Sequence, residues 1–419
     1  MAGVFENDRC LMSEKLKVVW LCHLSSKELN DTLRPWKRIP EYAAWISSCI
    51  KAVEENPCFE LHIVAPFFYI GHTHNFEIRG IHYHFYNPFL PLIGHPGLSL
   101  KGKNWFEYTD FKKTKRIVSR IINKINPDII HLYGAENPYY SAAIIPLTEC
   151  YPTILTIQGF ISHTKQSITP RRAKRIEIER QVIQCVPICF CRSKAQANSV
   201  FEINRKMVIQ PCQFCSYELR YDDIPKEKKY DIVFFASITK DKGIVDLLKA
   251  VAIIKREKTD VSVCVIGGGN YEQYVEMGKE LGIDDNIIWT GFLPSRKDVH
   301  YMAAQCKISV LPTYNDMYPG TIIESMFLGI PVVSYNVDSN PEINDKYEAI
   351  RLVEVGNIES LAESIYTLLI DDSQRQHLEV MGKKRAYELF APSNNDLLDQ
   401  WMAGYKRAID IYHKEQTQH

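Results

Sequence analysis

No uncharged apolar run reaches the roughly 18 residues that a bilayer-spanning helix needs, so no spanning helix is expected. The opening residues, MAGVFENDRCLMSEKLK, carry acids and lack an apolar core, so no secretory signal is read there. Charge of one sign is not in excess either, since 50 Lys and Arg balance 50 Asp and Glu, and no nucleic-acid partner is expected. Internal repeats and low-complexity tracts are absent, which excludes repeat and fibrous architectures. Cysteine is plentiful at 12 residues, but a framework for it is lacking. Cys22, Cys49, Cys58, Cys150, Cys264 and Cys306 are scattered in apolar contexts, as small buried hydrophobes are. Cys189-Phe190-Cys191 and Cys212-Gln213-Phe214-Cys215, with Cys185 nearby, approach metal-ligand spacing. The first pair, however, has one intervening residue, and both border predicted strands. Structural thiols in a reducing cytoplasm are the expectation, with no metal.

What is present is a chain of 419 residues, 46% hydrophobic, enough for two or three domains with sizeable cores. Its charge is uneven: residues 1–215 hold 27 Lys and Arg against 18 Asp and Glu, and the remainder 23 against 32. A basic first half suggests an anionic surface or substrate, although a solvated face explains it equally. Apolar runs alternate with amphipathic segments as in parallel βα units. Strands are predicted at 17–22, 61–65, 128–133, 153–157 and 188–191, with helices at 42–55 and 109–126. A second series starts near Tyr230, with strands at 231–235, 262–266, 287–289 and 308–311 and a helix over 242–257. The polar stretch Pro211 to Lys229 reads as the linker. The domains expected are 1–215, 216–395 and a returning C-terminal helix within 396–419, centred on Leu397 to Tyr412.

The most informative stretch is 312–343, PTYNDMYPGTIIESMFLGIPVVSYNVDSNPEI, which sets Asp316 and Glu324 eight positions apart around a strand-to-helix junction. Pro319 suits a helix start, Gly320 removes a side chain that would block close approach, and Thr321 suits a cap, with Tyr318 on the same loop. Free N–H groups at such a helix start favour an anion, so a diphosphate could sit there. Glu324, one turn inside, could accept both hydroxyls of a ribose, while Asp316 could face a sugar beyond the phosphates. Gly329 ends the helix and Pro331-Val332-Val333 begins the next strand. The bland alternative is an ordinary βαβ unit with solvated acids.

Taken in order, Pro312-Thr313, Asp316, Glu324-Ser325-Met326, Gly329, Pro331-Val332-Val333 and Pro341-Glu342 resemble the C-terminal signature of glycosyltransferase family 4, retaining enzymes of GT-B fold. The resemblance covers most of residues 15 to 410 and is specific in the second half. It implies an α/β chain of two Rossmann-like domains facing a cleft. It further implies transfer of a hexose-type sugar, without metal or cofactor, from a nucleoside diphosphate donor to a hydroxyl acceptor with retained configuration. Lys242, in Thr239-Lys240-Asp241-Lys242-Gly243, would stabilise the leaving diphosphate. Ser237 stands where the family has Arg, and Lys240 could compensate. Gly267 and Gly268, in the triplet 267–269, resemble the glycine-rich turn beside the nucleotide, and Gly291-Phe292 the loop that reads the base. Asp316 replaces the usual Glu.

The first half fits less well. The loop after the first strand, His23-Leu24-Ser25-Ser26-Lys27-Glu28, has none of the family's glycines. Thr156-Ile157-Gln158-Gly159 resembles Thr-Val-His-Gly, with Gln158 in place of the His near the transferred sugar. Gln158 cannot titrate, but a front-face displacement needs positioning and leaving-group stabilisation more than a titrating base. Glu136 and His163 are candidate acceptor contacts, each with a plain structural alternative. The basic segment 111–122, the cluster 169–175 and the apolar loop Asn87 to Gly94 would allow peripheral contact with the inner face of the cell membrane. A glycan or lipid-linked glycan acceptor and a role in surface polysaccharide synthesis complete the expectation. Two rivals are a GT-B nucleotide-sugar epimerase, which needs a titrating group aimed at the sugar, and a non-catalytic nucleotide-sugar-binding protein.

Overall fold

The inner strands of this chain, such as Ile129–Tyr133 and Val263–Ile266, are buried on both faces, as the apolar runs require of a parallel sheet covered by helices. The computed structural model describes residues 15–39, 41–89, 110–163, 169–215, 219, 224–391 and 393–417. The N-terminal segment to residue 14, the end of the apolar loop at residues 90–94 and residues 216–218 and 220–223 of the linker lie outside the described residues.

The first sheet has eight strands: β1 (Lys17–Leu21), β2 (Glu60–Pro66), β3 (His74–Ile78), β4 (Ile81–Tyr86), β5 (Ile129–Tyr133), β6 (Thr153–Thr156), β7 (Ile188–Cys191) and β8 (Val208–Pro211). They lie in the order β3-β4-β2-β1-β5-β6-β7-β8. The hairpin β3–β4 is antiparallel and was not predicted. Its two-residue turn puts Arg79 at φ 49° and Gly80 at φ 78°, the paired positive values that match the twist of a tight hairpin. The second sheet has six strands: β9 (Tyr230–Phe235), β10 (Val263–Ile266), β11 (Ile287–Gly291), β12 (Cys306–Leu311), β13 (Val332–Tyr335) and β14 (Arg351–Val353). Their order is β11-β10-β9-β12-β13-β14, with parallel pairing throughout.

Two compact units result: Met1–Thr156 with Glu177–Cys189 and Trp401–His419, and Ile157–Ile176 with Phe190–Gln400. In the first, the final helix Asn394–Gln416 delivers Trp401 edge-on to Trp20 at 5.2 Å and Tyr405 into the core. Trp20 Nε1 donates to Tyr405 Oη (3.1 Å), which lies 2.9 Å from His131 Nδ1, and His131 Nε2 lies 2.7 Å from Thr156 Oγ1. Four buried polar groups are thus satisfied across strands and a helix far apart in sequence. In the second unit, the helix Ile244–Ile254 is buried along Leu247, Leu248 and Val251 against the sheet. No helix of the described residues is long and apolar enough to cross a membrane. All eleven described cysteines are free thiols.

Candidate active site

In the second sheet the chain runs outward from β9 through β10 to β11 and, on the other side, through β12 to β14. The order reverses between β9 and β12, and the crevice outside their carboxyl ends is where open α/β sheets bind ligands. The loops leaving those two strands carry Lys242 and Asp316.

Lys242 ends a short 3-10 turn, Lys240–Lys242, and Gly243 follows at φ 81°. A Cβ on Gly243 would stand 2.0 Å from the Pro312 carbonyl oxygen, so only glycine lets the two loops close on each other. They are stitched by Tyr314 N–H to the Asp241 carbonyl (2.9 Å) and Thr313 Oγ1 to the same oxygen (3.3 Å). Tyr314 is braced from behind, because its hydroxyl and that of Tyr335 both donate to buried Asp246 at 2.6 and 2.7 Å. Lys242 Nζ consequently forms an ion pair with the Asp316 carboxylate, with the side chains 30% and 21% exposed. Asp316 N–H donates to Asp338 at 2.7 Å. Burial pushes the Asp338 carboxyl above its ordinary value, and that amide together with nearby His163 opposes the rise.

The helix Gly320–Phe327 begins at Pro319. Tyr318, at φ 57°, turns its ring into the core against Phe214 (5.1 Å) and Phe390 (5.6 Å), while its N–H donates to Ser339 Oγ at 2.7 Å. The Tyr318 ring, then, belongs to the core rather than to the loop surface. Thr321 is not the cap expected of it: it sits inside the helix, and its hydroxyl donates to the Phe235 carbonyl at 2.6 Å, pinning the helix start to the end of β9.

Glu324 is buried at 8% exposure, and both of its oxygens are engaged. Oε2 faces Nε2 of fully buried His300 at 2.8 Å, and Oε1 is ion-paired with Arg296. Arg296 and His300 stand four residues apart on one helix, Arg296–Ala304, so one helix face grips the carboxylate. A carboxylate oxygen has two acceptor sites, so Glu324 keeps acceptor capacity beyond these bonds. A Cβ on Gly320 would meet Glu324 Oε1 at 3.5 Å, an ordinary contact, so packing against that carboxylate does not require glycine. Sequence reasoning missed Arg296 and His300; the cap at Ser295, whose Oγ accepts from Asp298 N–H, marked their helix but not what it faces.

Around these loops the turns after β10 and β11 are laced together: Ile238 N–H donates to the Gly268 carbonyl (3.0 Å) and Gly267 N–H to the Gly291 carbonyl (3.0 Å). A Cβ on Gly267 would meet the Ala236 carbonyl oxygen at 1.9 Å. Phe292, 67% exposed, stands beside Gly268. Ser237 and Lys240 are exposed on the same loop as Lys242. Gln158 and His163 belong to the second unit, with His163 stacked on Phe160 at 4.6 Å. Glu136 is in the first unit, its carboxylate folded over Gly134 at φ 86°. Glu342, the last acid of the signature, holds a helix start in place, because its oxygens accept from Lys194 N–H (3.0 Å) and Ala195 N–H (2.9 Å) at the head of the helix Lys194–Ile203.

Two α/β units built on largely parallel sheets are the architecture of the GT-B fold, and solved structures agree. A sucrose-phosphate synthase from Thermosynechococcus elongatus superposes with a TM-score of 0.68 over 96% of this chain and 100% of that one, at 14% identity. Anabaena HepE in complex with UDP gives 0.63 over 94% and 100%, at 13% identity. Residues 218–385, the segment holding Lys242, Asp316 and Glu324, match the family described as glycosyl transferases group 1. Among curated proteins, a 2-deoxystreptamine N-acetyl-D-glucosaminyltransferase of Niallia circulans is 24% identical over 43% of this chain and 46% of its own length. The capsular polysaccharide biosynthesis glycosyltransferase CapM of Staphylococcus aureus is 26% identical over 43% and 48%. The chain thus spans just under half the length of these relatives.

Proposed function

We propose that this chain is a retaining glycosyltransferase that moves a hexose-type sugar from a nucleoside diphosphate sugar to a hydroxyl acceptor, a glycan or lipid-linked glycan, in surface polysaccharide synthesis. The observation that carries the reading is the Lys242–Asp316 pair, set across the switch point of the second sheet beside a helix N-terminus. A partly exposed pair of this kind is worth about 0.2–1 kcal/mol, less than the roughly 1.5–3 kcal/mol of a hydrogen bond to a charged group. Donor binding therefore separates it at a net gain: Lys242 turns to the diphosphate and Asp316 to the sugar hydroxyls. Lys242 and the first N–H groups of the helix Gly320–Phe327 then stabilise the charge that grows on the departing diphosphate. Glu324, oriented by Arg296 and His300, accepts the ribose hydroxyls. Gln158 positions the transferred sugar, and Glu136 and His163 contact the acceptor. No metal or cofactor takes part in this scheme.

Support for polysaccharide chemistry comes from the name of the Staphylococcus aureus relative. Peripheral membrane contact is proposed for the basic helix Lys112–Ile125, where Lys112, Arg116, Arg120 and Lys124 lie on the polar side and Val118 and Ile122 are buried. The test is a thermal-stability screen with nucleoside diphosphates and their sugars, coupled to assay of the released diphosphate with glycan acceptors. At 100-fold excess over Kd, one nucleotide should raise the midpoint by roughly 5–10 °C. Stabilisation by none of them would overturn the reading; stabilisation without transfer in any acceptor series would leave a binding protein in place of an enzyme.

A further inference from the structure

The hairpin that the sequence did not disclose builds a second constellation, in the first unit. Strands β2 and β4 pair in parallel with His62 opposite His82, and the β3–β4 register sets Asn75 opposite His84 and Glu77 opposite His82. Glu60 precedes His62 by two residues and so shares its face, as His84 shares that of His82. One ligand atom each from Glu60, His62 and His82 lies within 4.8 Å of the others, the one such group of three among the described residues.

Hydrogen-bond polarity at this cluster is informative. Asn75 Oδ1 can only accept, and it lies 2.7 Å from His84 Nδ1, so that nitrogen carries the proton and His84 Nε2 is bare. His84 Nε2 is 3.0 Å from His62 Nδ1, which must then donate. In a neutral ring that leaves His62 Nε2 with a free lone pair, aimed at Glu60 Oε1 only 2.8 Å away. Two acceptors at that distance need a cation between them. A proton satisfies this pair alone; a divalent ion satisfies the pair and His82 together. His82 is stacked on His62 at 4.6 Å with Nδ1 3.6 Å from Glu77, so a turn of its ring brings a nitrogen to the ion.

We propose that Glu60, His62 and His82 form a binding site for a divalent transition ion of the zinc class. The His84–Asn75 relay and Glu77 serve as the outer partners that fix ring orientation and ligand basicity. Two imidazoles and one carboxylate are a donor set that zinc accepts, with water completing four-fold coordination. Bond lengths near 2.0–2.2 Å place tetrahedral ligands about 3.3 Å apart, so the Glu60–His62 contact opens by about 0.5 Å and His82 closes in, a side-chain adjustment on fixed strands. The Glu60 and His82 side chains are 39% and 36% exposed, which gives the ion a route in.

The experiment is calorimetric titration of zinc chloride into the chelator-treated full chain, for wild type, Glu60→Gln, His82→Ala and the control His74→Ala. His74 also stacks with a neighbouring histidine, His72, at 4.3 Å, but lies outside the triad. Wild type should show a site that Glu60→Gln and His82→Ala each weaken at least 10-fold, with His74→Ala unchanged. Zinc held by the free thiols is common to all four proteins and cancels in the comparison. Circular dichroism of each variant confirms folding, and Glu60→Gln keeps the shape of the side chain should His82→Ala unfold. Superimposable isotherms for wild type, Glu60→Gln and His82→Ala, or equal weakening in His74→Ala, would overturn the proposal.

Discussion

Asp316→Asn separates the role proposed for this residue from every structural one. In the free protein Asp316 is the partner of Lys242, and both are partly exposed, so the pair contributes about 0.2–1 kcal/mol and its loss should barely move the stability of the fold. Removing the carboxylate also releases Lys242. Affinity for the bare nucleoside diphosphate should therefore hold or rise, by about 1.4- to 5-fold for that range of energies. Affinity for the sugar conjugate should move the opposite way. A hydrogen bond from a sugar hydroxyl to a carboxylate is worth about 1.5–3 kcal/mol, so its loss lowers affinity for the conjugate, and transfer with it, by about 10- to 150-fold. Asp316→Glu, which restores the acid the family pattern carries there, should keep part of the activity. Calorimetry with the diphosphate and its sugar conjugate on all three proteins, beside product formation, reads the split. Equal loss of both ligands in Asp316→Asn would refute the reasoning, as would transfer at the wild-type rate.

Lys242→Ala should lower kcat by on the order of 100-fold with a smaller change in donor affinity, because diphosphate charge grows towards the transition state; a rise in KM at constant kcat would confine Lys242 to ground-state binding. Glu324→Gln should weaken nucleoside diphosphate binding in calorimetry while the fold persists, since the amide keeps one acceptor for His300; Glu324→Ala, which leaves that buried ring without an acceptor, should cost about 1–3 kcal/mol in denaturant unfolding. Gly243→Ala should destabilise by more than about 2 kcal/mol, combining the positive φ with a Cβ forced against the Pro312 carbonyl, and a smaller loss in thermal unfolding would mean that the loops part easily. Burial holds the His23 imidazole, stacked between Tyr42 and Tyr140, down at about 4, so the unfolded chain binds the extra proton between about pH 6.5 and 4. Stability from this group is present above that window and lost as pH falls through it, and His23→Phe, compared with wild type in denaturant unfolding at pH 7 and pH 5, should lose less stability on acidification.

The sequence by itself determined what is local. Runs such as Val18-Val19-Trp20-Leu21 and Val263-Cys264-Val265-Ile266 are too apolar for anything but doubly covered strands, and both are fully or almost fully buried. The junction at 312–331 was legible because its constraints lie within a few residues: a proline at the helix start and Gly329 at φ 69° at its end. The hairpin β3–β4 was hidden, since His74-Asn75-Phe76-Glu77-Ile78 and Ile81-His82-Tyr83-His84-Phe85-Tyr86 alternate polar and apolar with histidines that propensity leaves undecided, and their pairing with each other and with β2 settled the matter. Thr321 reads as a cap in isolation; packing against β9 gave its hydroxyl a carbonyl 86 residues away. Only the tertiary structure decided the partners of the charges. Lys242 meets Asp316 across 74 residues, Arg296 and His300 close on Glu324 across 28 and 24, and Tyr405 joins Trp20 and His131 across 385 and 274. Side-chain chemistry states which groups can pair, but a pair needs its atoms within about 3 Å, and across such separations only the order and register of the strands bring them that close.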